Sequence, residues 1–522
     1  MTDGSGAENV LFVVLDTVRK DHLGPYGHDR PTTPTLDRFA DGPETVVFEN
    51  AVAPAPWTLP VHASLFTGLY PSGHGADQEN PYLDGATTLA QTLSRTGHDT
   101  ACYSSNAWIT PYTRLTAGFD DQDNFFQVMP GDLLSGPLAK AWQALNDDDR
   151  LRAIADKLVS LGNTAHEYLA GGEGSDSKTP AVIDRTQEFV ARSDQGWFVF
   201  VNLMDAHLPY HPPDKYAAEF APDVDSAAVC QNSKAYNSGA RAVNDTEWQE
   251  IRALYDAEIA HMDAELGRLF DWLRETGRWE ETMVVVCADH GELHGEHDIY
   301  GHEFCLYDPL VNVPLLVKHP DVAADPDGTV ELVDLYHTVL DALCETGGVP
   351  ASPGDEAVTL DPRRSLLSPD HRAFPTELDP ADPADPGVRG GGDYGFVEYA
   401  RPVVELKQLE EKANAANITL DEDSRFYARM RAARRPDAKY VRVDRTPDEA
   451  FRLDTDPDEL ETLASEMGDH PALRETERAL AEFESAVGGA WTTPDDAEVT
   501  DDAVDDFDEE TQERLRDLGY LE

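Results

Sequence analysis

The chain runs to 522 residues, carries 100 Asp and Glu against 41 Lys and Arg, and has a formal net charge of −59 at pH 7. A chain of this length buries a large core without disulfide or metal staples, its charge disfavours nucleic acid as a partner, and a hydrophobic fraction of 40% excludes a solvated, disordered acidic protein. The acids are spread along the whole chain, which reads as adaptation to a salt-rich medium, where a Debye length of about 3 Å removes most of the self-repulsion.

Polar residues Met1–Asn9 lead into the continuous apolar run Val10–Leu15, which ends at Asp16. The run predicts a strand buried on both faces with a carboxylate at its carboxyl end, the edge where open α/β sheets hold ligands. It is too short for a secretory core and lacks a basic flank. No stretch approaches the ~18 apolar residues of a membrane span, so a cytoplasmic protein with no membrane partner is expected. Cys102, Cys230, Cys287, Cys305 and Cys344 show no paired spacing and fit a reducing compartment or core thiols. The sequence carries no signal for an oligomeric state.

In Trp57–Gly68, Thr58 has the character of an N-cap, with Pro60 in the first turn and Gly68 just past the end. Taken alone it reads as a plain capping threonine; a hydroxyl at a helix start is also suited to face a tetrahedral oxyanion. Helices are predicted over Thr87–Thr96, Asp148–Leu169 and Thr246–Glu275, the last with Ile251, Leu254, Tyr255, Ile259, Met262, Leu266, Leu269 and Leu273 near a 3.6-residue period. Two more buried runs repeat the form of the first. Trp197–Leu203 leads into Asp205 and His207, and Met283–Cys287 leads into Asp289 and His290. The alternation predicts an α/β fold with a mostly parallel, doubly covered sheet, whose strands bring acids and imidazoles to one rim.

From residue 348 to 394 the composition shifts to Pro, Asp and Gly, predicting a linker or surface excursion after a catalytic domain of residues 1–347. Strand-like Phe396–Tyr399, Ala438–Asp444 and Ala450–Leu453, with helical Asp456–Ser465 and Pro471–Val487, predict a small α+β subdomain over 395–495. An acidic tail with a terminal helix at Glu510–Leu518 is expected over 496–522.

Asp289-His290-Gly291-Glu292 sets carboxylate and imidazole side by side at a strand end, a pairing suited to a divalent metal. Together with Asp16, with Ala55–Gly75, Thr88–Asn106, Asp205–Pro213 and Tyr300–Pro314, in this order and strand context, the chain resembles the sulfatase family of the alkaline phosphatase superfamily, as an acidic member of the haloarchaeal type. The resemblance covers nearly the whole length. It implies an alkaline phosphatase-like fold and hydrolysis of sulfuric or phosphoric esters of a small molecule or glycan. It implies one divalent ion (Ca, Mg, Mn or Zn) on Asp16, Asp289 and His290, with the Thr58 oxygen completing the shell. It gives His207 the substrate's oxyanion or leaving group, and puts Asn106 where sulfatases carry a Lys–His pair and related phosphodiesterases an oxyanion-holding Asn.

The departures are as informative. The family nucleophile is a Cys or Ser matured to formylglycine within C/S-x-P-x-R, and this chain has Thr58 and His62 at those two positions. Thr17 replaces a second acid beside Asp16, and His302 stands where a lysine is expected. Threonine cannot become formylglycine, so an ester on Thr58 has to be cleared by water attacking sulfur or phosphorus, which favours phosphate esters. The expected catalytic group is Thr58, His207, His302, Asn106 and His62. A second metal on Asp205, His207 and His302 is the alternative to a single ion. His62, His294 and His297 are expected in supporting or loop roles, Asp21 and His22, one helical or loop turn beyond Asp16, in orienting that ligand, Arg19 in a structural role and Trp57 beneath the Thr58 loop. The rivals to a hydrolase are a catalytically silent binding protein and a transferase passing the group to an alcohol.

Overall fold

The computed structural model describes residues 7–125, 177–344, 360–372 and 393–489. The three apolar runs form strands: β1 (Asn9–Leu15), β5 (Trp197–Leu203) and β6 (Thr282–Cys287) stand with β2 (Thr45–Val52), β3 (Asp99–Ser104) and β4 (Asp121–Asn124) in one sheet. The short β7 (Leu293–His294) and β8 (Tyr300–Gly301) make a separate ribbon. Two more strands, β9 (Asn312–Lys318) and β10 (Thr329–Glu331), complete an eight-stranded sheet in the order β10-β2-β9-β6-β1-β5-β3-β4. Only β9, among the described strands of this sheet, runs against its neighbours β2 and β6. β1 lies in parallel register between β5 and β6, Val13 facing Val201 on one side and Val286 on the other.

Every residue of β1, β5 and β6 is buried, so both faces of the central sheet are covered, as their unbroken apolar sequences predict. One helical layer holds Thr58–Thr67, Leu89–Arg95 and Asp334–Leu343, which pack on one another and reach β1 and β3. The other holds Pro34–Ala40, Thr179–Arg192 and Asp245–Glu275. Asn244 caps the long helix by accepting the Thr246 and Glu247 N–H groups, and Thr88 with Gln91 forms a capping box ahead of Leu89–Arg95. Both helices match their predicted spans within a residue or two. The predicted helices Asp148–Leu169 and Glu510–Leu518 lie outside the described residues.

A second, antiparallel sheet follows: β11 (Gly395–Tyr399), β12 (Met430–Arg435), β13 (Ala438–Val443) and β14 (Glu449–Phe451), with the helix Pro471–Ala486 against β12 and β13. It abuts the large sheet through Glu398, whose N–H donates to Pro54 O at 2.9 Å, and through Gly395, where a Cβ would stand 2.7 Å from Val52. The helix predicted over Asp456–Ser465 does not form. Glu459 adopts φ 55° and turns inward to pair with Lys439 at 2.8 Å, and the Asp456 carboxylate accepts the N–H groups of Leu460 and Glu461, closing a turn. Within the Pro/Asp/Gly-rich stretch, residues 360–372 are docked: Arg364 is buried, 2.8 Å from Asp334 and 3.3 Å from Glu331.

Candidate active site

The carboxyl ends of β1, β3, β5 and β6 meet at one rim of the sheet, as the switch in strand order on either side of β1 dictates. Beyond β1 lies Asp16, beyond β6 lie Asp289 and His290, beyond β3 lies Asn106, and Pro54–Trp57 delivers Thr58 from the end of β2.

Each ligand candidate is aimed by its own neighbours. Asp289 Oδ1 accepts the N–H groups of His290 at 3.0 Å and Thr17 at 3.3 Å, which leaves Oδ2 without a hydrogen-bond partner. Asp16 Oδ2 accepts the Asn106 amide at 2.8 Å and the Asn202 amide at 3.1 Å, which leaves Oδ1 without one. His290 Nδ1 donates to Gly291 O at 3.0 Å, so its Nε2 lone pair faces Thr58 Oγ1 at 3.3 Å. Gly291 admits no side chain, since a Cβ there would meet Pro309 O at 1.9 Å.

Ligand atoms of Asp16, Asp289 and His290 all lie within 4.8 Å of one another, and all three residues are 0% exposed. Burial, and then the charge of Asp16, push the Asp289 carboxyl well above its ordinary pKa. Burial, and then His302, hold His290 well below its own. Two buried carboxylates side by side are costly without a counter-charge. The unpartnered oxygens, the free imidazole nitrogen and the Thr58 hydroxyl therefore fit one divalent cation, in a donor set that suits Mg, Mn, Zn or Ca.

Thr58 is the first residue of its helix and not the cap. Trp57 occupies the cap position with φ −154° and ψ 162°, makes no side-chain capping bond, and packs edge-on against Trp108 with ring centroids 5.8 Å apart. The extended cap turns the Thr58 side chain toward His290 and Asn106, whose amide lies 3.4 Å from Oγ1. Gly68 ends the helix in the left-handed region at φ 69°. His62, one turn into the helix, donates from Nδ1 to Thr58 O at 2.9 Å, and burial lowers its pKa to about 4.

His302 and His207 form the outer wall. The His302 ring centroid is 4.5 Å from that of His290 and 5.5 Å from that of His207. Burial alone would lower the His302 pKa, but Glu303 and Glu292 outweigh it and raise it to about 9. His207 donates from Nδ1 to Leu208 O at 2.7 Å, which leaves Nε2 as its free nitrogen.

Other expectations need correction. Asp205 does not join His207 and His302 in a second metal group. Its carboxylate accepts the Thr179 hydroxyl and faces His261 at 3.6 Å, and these three residues do not converge among the described metal-competent groups. Asp21 and His22 do not touch Asp16: Asp21 pairs with Arg19 at 2.7 Å, and His22 with Asp256 at 2.6 Å. His22, His28 and Asp256 do converge, but Arg30 already holds the other Asp256 oxygen at 2.5 Å, so this is an ion-pair knot tying the loop after β1 to the long helix. His294 is boxed among Tyr210, Tyr255 and His22, and His297 stacks on Tyr307.

One residue of the site, Asn202, escaped the sequence reading, and Thr17 is legible there only as the replacement of an acid. Thr17, at φ 60°, sends its hydroxyl to Ala206 O at 2.6 Å and so staples the ends of β1 and β5. Asn202 had a visible signal, a lone amide inside the apolar run of β5.

Residues 8–345 match the family model described as Sulfatase. The chain is 26% identical over 510 residues to the multifunctional alkaline phosphatase superfamily protein PehA of Trinickia caryophylli, covering 88% of this chain and 91% of the relative. It is 25% identical over 370 residues to an arylsulfatase of Clostridium perfringens, covering 64% of this chain and 74% of the relative. The phosphonate monoester hydrolase of Agrobacterium radiobacter superposes with a TM-score of 0.61 at 20% identity, over 92% of this chain and 96% of that one. With the alkaline phosphatase-like sheet and the acid-imidazole rim at its carboxyl edge, the chain belongs to the sulfatase family and is a hydrolase of sulfate or phosphate esters.

Proposed function

We propose that the protein hydrolyses phosphate esters of a small molecule or glycan through Thr58, without formylglycine, and that it works at high salt. The observation that carries this reading is the Thr58 hydroxyl, 3.3 Å from the His290 Nε2 lone pair and beside the unpartnered oxygens of Asp16 and Asp289. Asp16, Asp289 and His290 would hold a divalent ion, which would supply Lewis acidity to the site. Thr58 Oγ1 attacks phosphorus in line, and the bond to the leaving oxygen breaks as the threonyl ester forms. His207, as the imidazolium with its Nδ1–H on Leu208 O, gives the proton on Nε2 to the leaving oxygen, and the proton lost by Thr58 passes to solvent. Asn106 and the Leu59 N–H at the open helix start donate to the equatorial oxygens. Water then attacks phosphorus, and the Thr58 oxygen leaves and regains its proton. A sulfate ester on threonine would need the same attack at sulfur, so it is the second choice.

The test is hydrolysis of nitrophenyl phosphate, bis-nitrophenyl phosphate and nitrophenyl sulfate at molar salt with Mn, Mg, Ca or Zn. Phosphate-ester turnover that chelation abolishes supports the reading. Silence on every ester would leave a binding protein on a sulfatase fold, and product formed only with an added alcohol would make the enzyme a transferase.

A further inference from the structure

We propose that Asn202 is a positioning residue of the catalytic centre, whose amide decides which Asp16 oxygen faces the cation and ties that carboxylate to the His62 beneath Thr58. The inference rests on the metal-ester hydrolase reading above and deepens it.

Asn202 is the sixth residue of β5, paired with Val14 of β1 and Ser104 of β3, and is 0% exposed. At this position a β-branched apolar residue would serve the sheet better, so the amide breaks the local pattern and needs a reason. Its hydrogen bonds supply one. Nδ2 lies 3.1 Å from Asp16 Oδ2 and 3.4 Å from His62 Nε2, and Oδ1 accepts the Ser104 hydroxyl at 3.2 Å.

The amide orientation follows from its neighbours. An ionised carboxylate only accepts. His62 spends its Nδ1 proton on Thr58 O, so its Nε2 also accepts. Two acceptors on one side of Asn202 require the NH₂ there, and the Ser104 hydroxyl on the other side donates to the carbonyl. Ser104 Oγ in turn accepts the Asn106 N–H at 2.9 Å, and Asn106 donates its own amide to the same Asp16 Oδ2 at 2.8 Å.

Two amide donors therefore converge on Asp16 Oδ2 and none on Oδ1. Oδ2 is held as a hydrogen-bond acceptor, and Oδ1 is presented alone as a single-oxygen ligand. The same NH₂ group donates to the His62 Nε2 lone pair and so supports the Nδ1–H bond that holds the first turn of the Thr58 helix. Asn202 thus couples the orientation of a ligand to the placement of the nucleophile, without touching substrate. Partners of this kind change metal affinity about 10- to 100-fold when removed.

The experiment uses the full chain with Asn202→Leu, of similar shape but without donors, and Ser104→Ala, which frees the amide to turn. Mn²⁺ affinity is read by electron paramagnetic resonance, independently of turnover, beside kcat, KM and the melting temperature of the metal-free protein. For Asn202→Leu the expected result is Mn²⁺ binding weakened at least tenfold, kcat lowered about 10- to 100-fold and KM nearly unchanged. Ser104→Ala, which keeps the amide, is expected to shift affinity and kcat in the same direction by a smaller factor, and it carries the test if Asn202→Leu does not fold. Mn²⁺ affinity and kcat within twofold of wild type in a folded variant overturn the positioning role while leaving the hydrolase reading intact. A wild-type protein that neither binds Mn²⁺ nor cleaves any ester overturns both.

Discussion

Thr58→Ala separates the two roles open to a threonine at a helix start. As a cap, Thr58 would contribute about 1 kcal/mol of stability and nothing to turnover. The geometry gives it no capping bond, since Trp57 holds the cap position, and its hydroxyl makes only two long contacts, 3.3 Å to His290 and 3.4 Å to Asn106. Deleting it then costs well under about 1 kcal/mol, and alanine returns a few tenths through helix propensity. As nucleophile, its removal is expected to lower kcat about 10⁴- to 10⁶-fold, or about 5–8 kcal/mol of transition-state stabilisation. The assay pairs kcat on nitrophenyl phosphate with urea unfolding of the metal-free protein at fixed molar salt. Thr58→Ser, which keeps the hydroxyl, is expected to retain turnover within about tenfold on the same scale. A Thr58→Ala protein with kcat within tenfold of wild type and a midpoint loss worth about 1 kcal/mol would restore the capping role and refute the nucleophile.

Chelation is expected to abolish turnover, and Mn²⁺ at a hundred times its dissociation constant to stabilise the wild type by about 2.7 kcal/mol; Asp289→Asn should lose that increment, which calorimetry with and without metal reads directly. Arg364→Ala removes one buried guanidinium from Asp334 and Glu331 but leaves both paired with Arg372 at 2.8 and 3.0 Å, so urea unfolding should show a loss of about 1–3 kcal/mol. Asp256→Asn tests the knot in which His22, His28 and Arg30 face one carboxylate. The Asp256 carboxylate, 3.4 Å from His28 Nε2, raises the His28 pKa above its ordinary 6.5, so that contribution is full below pH 6.5 and fades as pH rises through the higher folded value. Burial opposes ionisation of Asp256, but His22 and His28 hold its pKa below the ordinary 3.8, so its share is full above that value and fades in acid. The stability gap between wild type and Asp256→Asn should therefore be widest between about pH 4 and 6.5, and a gap flat from pH 4 to 9 in thermal unfolding would contradict this.

The sheet was legible because its strands are buried on both faces: β1, β5 and β6 appear as unbroken apolar runs, and the acids and imidazoles that follow them had to share an edge. The long helix was legible through its period and cap. The segment after β14 was misread because the pull of Lys439 on Glu459 comes from another strand and overrides a locally helical composition. Thr58 was found as a helix-start residue but placed one position early, since the distinction depends on the extended backbone of Trp57. Asp205 looked like a ligand because it follows β5 as Asp16 follows β1, and nothing in the local sequence reveals that Thr179 and His261 claim it. Asn202 was passed over because an amide within an apolar run bears on chemistry only once Asp16 and His62 are known to lie beside it.

Whether Thr58 carries the transferred group is read by quenching the protein during turnover of a phosphate ester with metal present and mapping the modified peptide by mass spectrometry. The expected result is a phosphoryl group on Thr58, absent in Thr58→Ala and in chelated protein. A phosphoryl group on any other residue, or steady turnover that never labels the Thr58 peptide even when hydrolysis is slowed, would contradict it.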